Sequence, residues 1–233
     1  MADDQTFVTA AQKPTSANAE VFEICTRISW DLRSAEQSIS ILAATEHRVL
    51  DFANLNLGSF FEVIVENAVL SASILTCRSI EQEGDKYPLY SLHGLAKYLD
   101  KHASSIIIAN KELIIDNIAP NAEVTSACDI VKLLSNHILQ SIIEIQNKHH
   151  PLHTAYERSK KFRDKRTGHN ERYRPIIGIS SSDWLQLIDF ARSLLLLVSA
   201  GVLGSKIGDW EEEKVQEAAN QLSSFLDVAL SKK

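Results

Sequence analysis

The sequence predicts an all-α fold, an up-and-down bundle of six or seven helices. Two observations carry that prediction. Only 5 Pro and 8 Gly occur in 233 residues, whereas a sheet-rich chain of this length needs many more turn-forming residues. The apolar residues, mostly Leu, Ile and Ala, recur every three or four positions, which places them on one face of a helix with 3.6 residues per turn. With 45% hydrophobic residues the chain holds enough apolar material for one ordinary core. It reads as a flexible tail, residues 1–16, followed by a single helical domain, residues 17–233.

The first helix enters near Ser16, because Val21, Ile24, Ile28, Leu32, Ala35, Ile39 and Leu42 step by three or four. Phe60, Phe61, Val63, Ile64, Ala68, Leu70 and Leu75 form a second, apolar enough to predict the most deeply buried position, and it ends before the polar run 81–88. Residues 89–102 suit a third. After Asn121, the spacing of Val124, Cys128, Val131, Leu134, Ile138, Ile142 and Ile145 predicts a helix of about 28 residues, halted by His149, His150 and Pro151. Thr154 and Glu157 have the form of a capping box, so another helix should begin there and run into the basic stretch beyond. Ser180 to Asp183 opens the next, with Trp184, Leu187, Ile188, Ala191, Leu195 and Val198 on its apolar face. Asp209, with Glu211 to Glu213 as partners of the helix dipole, opens the last, anchored by Trp210, Leu222, Phe225 and Leu226.

Several function classes find no support. Cys25, Cys77 and Cys128 lie far apart with no Cys-x-x-Cys pair, which suits buried thiols in a reducing compartment better than a disulfide framework or a zinc site. The N-terminus carries Asp3 and Asp4 and no basic apolar leader, so a cytoplasmic location is expected. The longest uninterrupted apolar stretch, Leu194 to Gly204, is shorter than the roughly 20 residues of a membrane span. His149, His150 and His153 have no neighbouring Cys or paired carboxylate, and they read as cations at a helix end and in a polar turn. His47, His93, His102 and His137 stand alone. With no Gly-rich phosphate loop and no Gly-x-Ser-x-Gly, neither metal nor cofactor is expected.

The informative feature is "KKFRDKRTGHNERYR", Lys160 to Arg174. From Arg158 to Arg174 stand eight of the 24 basic residues, with only Asp164 and Glu171 against them, in a chain of net charge −6. A local positive field on an acidic protein suits a polyanionic partner, although Lys and Arg runs are also common on solvated helix faces. Within the run, Arg163 is followed by Asp164 and, after Gly168, by His169. Chance alone yields about one Arg and His pair at such spacing in this composition, so the context carries the inference. Asp164 supplies a carboxylate that can orient a neighbour, Gly168 lets a helix end before His169, and the pair follows the capped start of a helix.

This arrangement resembles the HEPN superfamily (higher eukaryote and prokaryote nucleotide-binding), marked by an Arg, a polar residue, a few more residues and a His near the start of a late bundle helix. The order of segments resembles its AbiU-like abortive-infection branch, in Trp30 and Leu32 of the opening helix and in Leu50, Asn54, Phe60 and Phe61 at the entry to the second. The likeness runs from about residue 20 to 200, with Gly168 where many relatives carry Ala. It implies a metal-independent endoribonuclease, acting in phage defence or as a toxin, with RNA and an antitoxin as partners.

The residue types suit that chemistry. Cutting RNA without a metal requires the 2′-OH to lose a proton, the phosphorane charge to be neutralised and the 5′-oxygen to gain a proton. A histidine, here His169, titrates near neutrality and serves either proton step, while Arg163 holds two phosphate oxygens with its planar fork. Asp164 would orient one of them, preferably the His of a partner chain. Six helical steps set Arg163 and His169 about 240° apart, so one helix does not complete the site. The resemblance implies a homodimer in which two motifs share a cleft. Lys160, Lys161, Lys165, Arg166, Arg172 and Arg174 would bind backbone phosphates along the approach, and Tyr173 would stack on a base. Two alternatives stay open: a non-catalytic helical module binding RNA, a nucleotide or a protein, and a purely structural oligomerisation bundle.

Overall fold

The structure is a computed structural model that describes residues 16–46, 48, 54, 56–82, 90–120, 126–164 and 180–210, together with 217, 220, 221, 223, 224, 227 and 228. Among the described residues it is all-α, with seven helices and no strand: α1 (Ala17–Glu46), α2 (Gly58–Ile80), α3 (Leu92–Lys101), α4 (Lys111–Ile118), α5 (Ala127–Glu144), α6 (His153–Arg163) and α7 (Ser181–Val202). The helical bundle anticipated from the apolar spacing is what forms.

The long helix α1 is the spine. Its predicted stripe of Val21, Ile24, Ile28, Leu32, Ala35 and Ile39 is buried, and it packs against α2 and α7. Arg78, in the last turn of α2, reaches back to Asp31 in the first half of α1, so the two helices run antiparallel. α3 packs on α5 through Leu92, Leu95, Leu99, Val131, Leu134 and Ile138, all members of the same core. The Ser135 hydroxyl donates to Ala96 O across that interface at 2.8 Å, which satisfies a buried polar group where the helices approach.

α2 is not the most deeply buried helix. Phe60 and Val63 are 61% and 56% exposed, and its buried positions cluster from Ala68 onward. The run from Phe60 to Val65 carries apolar residues around more than one face, and only one side can meet a neighbour. α7, with one apolar stripe from Trp184 to Val202, is buried along its length. Both helices are long and apolar enough by composition to cross a membrane, which corrects the expectation from uninterrupted runs. Half of that window in α7 and a third in α2 is buried inside the bundle.

The helix ends also differ from expectation in places. α5 spans 18 residues rather than about 28, because Ser126 caps it by accepting from the Asp129 amide at 3.1 Å, and the chain leaves the helix at Ile145, well before Pro151. The box expected from Thr154 and Glu157 is not made. The turn after Pro151, closed by the His153 amide on His150 O, starts α6 at His153, so Thr154 already lies inside the first turn. α4 was not foreseen, since Ile114 is its one fully buried residue and it has no apolar period; Asn110 caps it. Gly201 of α7 makes room for it: a Cβ there would fall 2.5 Å from Ile114 Cγ1. Ser180 and Asp183, by contrast, form a reciprocal capping box at the start of α7. Trp210 donates from Nε1 to Glu36 Oε2 at 2.5 Å and carries the Arg192 guanidinium over its ring at 4.6 Å. Glu211 to Glu213, Leu222, Phe225 and Leu226, assigned to the final helix, lie outside the described residues.

Candidate functional site

α6 buries Ala155, Tyr156, Ser159 and Phe162, seating its inner face on α2 and α7. Phe162 meets Trp184 edge to face, with centroids 6.4 Å apart. Tyr156, Lys160 and Arg163 follow at helical spacing and so share the side of α6 that overlooks the last turn of α2. There they line a small cleft of about 140 Å3 with Cys77, Glu81 and Gln82. Gln146, in the turn after α5, closes it.

Arg163 is the last residue of α6, and its guanidinium is fixed from two directions. Asp164 Oδ1 accepts from Nε at 2.9 Å and lies 2.8 Å from Nη2, while Glu81 Oε2 lies 2.8 Å from Nη1. The side chain is only 17% exposed. Burial works to lower its pKa, but the hydrogen bond to Asp164 and the surrounding negative groups outweigh that, and the net shift is upward. Arg163 is therefore a constant charge. Cys77, by contrast, is pushed up to about 12 by burial, which outweighs the opposing charge of Arg163, so its thiol stays neutral around pH 7. Tyr156 is likewise raised by burial. The Lys160 ammonium lies 6.0 Å from the Tyr156 ring centroid.

Of the residues singled out from the sequence, the fold brings Arg163, Asp164 and Lys160 together. Asp164 orients Arg163 of its own chain. Lys161 is exposed and does not line the cleft, and Arg158 is taken up in a 3.5 Å contact to Asp183, tying α6 to the cap of α7. His169 lies outside the described residues, as do Lys165, Arg166, Gly168, Arg172, Tyr173 and Arg174. Sequence reasoning missed Glu81, Gln82, Cys77, Gln146 and Tyr156. Tyr156 was within reach, seven residues before Arg163 on the same helix. Glu81 was not, because only the packing of α6 on α2 brings it to the guanidinium.

The cleft is lined by two cations, Lys160 and Arg163, and one carboxylate, Glu81, while Asp164 holds Arg163 from beside it. Such a set can receive an anion if Glu81 gives way, since a phosphate presents the same paired oxygens to the guanidinium fork. Among the described residues no three His, Cys, Asp or Glu side chains stand close enough together to hold a metal ion. Compared with protein-family models, curated proteins and solved structures, the chain matches none of them.

Proposed function

We propose that the protein is an RNA-cleaving enzyme of the HEPN type, in which Arg163 holds the scissile phosphate and His169 transfers the proton. One observation carries this reading. The Arg of the motif is held by two carboxylates in a cleft between α2 and α6 instead of lying on a solvated face. A pre-oriented guanidinium is what stabilisation of a phosphorane requires, because it need not reorganise as charge develops.

The 2′-OH of one nucleotide attacks the adjacent phosphorus, the P–O5′ bond breaks, and a 2′,3′-cyclic phosphate and a free 5′-OH result. Arg163 exchanges its Nη1 contact with Glu81 for a phosphate oxygen, and Asp164 keeps the fork in place. Lys160 adds a second positive charge at the same cleft. On this reading two copies of the chain supply one complete site, each motif lying near a two-fold axis. Lys161, Lys165, Arg166, Arg172 and Arg174 hold the flanking backbone without reading sequence. On this reading the protein acts in the cytoplasm as a toxin or phage-defence effector, restrained by an antitoxin.

The test is incubation of purified protein with RNA in EDTA. Cleavage that leaves cyclic phosphate ends and disappears in His169→Ala is expected; cleavage indifferent to that substitution ends the proposal. A second reading draws on the same ion pairs: Arg163, already neutralised by Glu81 and Asp164, belongs to a helical module that binds RNA without cutting it. RNA binding retained in His169→Ala with no cleavage by the wild type, and a salt dependence flattened by neutralising Lys160, Lys161, Arg166 and Arg172, would favour that reading.

A further inference from the structure

A larger concavity lies on the other side of the same helix end. Cys77 faces the Arg163 cleft, but Arg78, the next residue, faces a groove of about 910 Å3 on the outer side of α1, lined also by Phe22, Glu23, Arg27, Trp30 and Tyr90. Phe22, Thr26 and Trp30 step by four along it. Trp30, Phe22 and Tyr90 are 69%, 53% and 42% exposed, although the opposite face of α1 is solid core. Among the described residues no side chain covers the Trp30 indole.

The charges in the groove are unevenly satisfied. Arg78 donates to both oxygens of Asp31, with Nε to Oδ2 at 2.7 Å. Glu23 accepts from the Tyr90 hydroxyl at 3.3 Å. The Arg27 guanidinium lies 5.7 Å from the Tyr90 centroid and has no carboxylate partner among the described residues. A guanidinium without a carboxylate beside exposed rings suits a chain of alternating bases and phosphates, in which planar bases stack on the rings while an anion meets the cation. An apolar peptide helix suits it less, because seating it would strip water from Arg27, Glu23, Asp31 and Arg78.

We propose that this groove is an accessory site for single-stranded RNA, with a base stacked on Trp30, a second against Phe22 or Tyr90, and Arg27 on the phosphate between them. Glu23 confines that phosphate to the Arg27 and Trp30 end. The choice of RNA as occupant rests on the ribonuclease reading. The groove and the Arg163 cleft meet α2 at adjacent residues of its last turn, Arg78 and Cys77.

Tryptophan fluorescence gives a direct readout, because Trp184 is 2% exposed and Trp210 is partly buried, leaving Trp30 as the open reporter. The probe is a short 2′-O-methyl oligoadenylate, which a 2′-OH mechanism cannot cut. It should quench the wild-type protein and, with binding read from the anisotropy of a fluorescein label on the oligonucleotide, bind about 10-fold more weakly to Trp30→Ala and show a shallower salt dependence in Arg27→Gln. Arg163→Ala and His169→Ala should still be quenched, so that this site and the catalytic reading stand or fall separately. Absence of quenching in the wild type, or equal affinity in Trp30→Ala, would overturn the proposal. Quenching by an amphipathic peptide but not by the oligonucleotide would overturn it in favour of a protein partner.

Discussion

Cys77 and Arg78 are neighbours in the chain, yet they serve two different surroundings. Cys77 looks into a narrow cleft where Arg163 is 17% exposed and shared between two carboxylates. Arg78 looks into an open groove where it is 45% exposed and gripped by Asp31 alone. A step of 100° around α2 thus separates a guanidinium taken largely out of water from one that keeps much of its hydration. Partial desolvation and two partners fix a charge, whereas exposure leaves a charge adaptable. The first suits chemistry at a phosphate and the second suits loose binding.

Measurements on the shared helix end should separate the two sides by size. Ile80, fully buried in the last turn between them, holds both, and Ile80→Ala should cost about 2–5 kcal/mol in denaturant unfolding. Arg163→Ala should cost about 1.5–3 kcal/mol, because it leaves Glu81 and Asp164 without their cation. An equal or smaller loss than that of Arg78→Ala would show that the two guanidinia are held alike. The buried thiols set an alkaline limit. Cys25 and Cys77 are both pushed up to about 12 by burial, so the stability they contribute is complete below the ordinary thiol pKa and is lost between about pH 9 and pH 12. Raising the pH one unit into that window should cost about 1.4 kcal/mol per thiol, and Cys77→Ala should remove its share. The smallest effect belongs to the groove side: Asp31→Asn should cost about 0.2–1 kcal/mol, further reduced by salt.

Local patterns translated into structure where a single helix was enough to decide the outcome. The stripe from Val21 to Ile39 and that from Trp184 to Val198 became the buried faces of α1 and α7 because every member falls on one side. Two possible capping boxes parted company for a reason outside either motif: Ser180 stands just before its helix, whereas the turn after Pro151 draws Thr154 inside the helix it was to cap. α4 left no apolar period to read, and it exists because Gly201 lets Ile114 sink against α7. At the site, Lys160 and Arg163 were legible as neighbours on one turn. Glu81, just past the end of another helix and far away in sequence, was not. Its contact is a product of packing, and it decides how Arg163 is held.

Single-turnover cleavage of RNA by Arg163→Lys in EDTA bears hardest on the idea of a positioned guanidinium. Lysine keeps the charge but cannot span Glu81, Asp164 and a phosphate with one planar fork. The rate should fall by about 100-fold or more while RNA affinity changes little. Cleavage at the wild-type rate, or no cleavage by the wild type under the same conditions, would contradict the role assigned to Arg163.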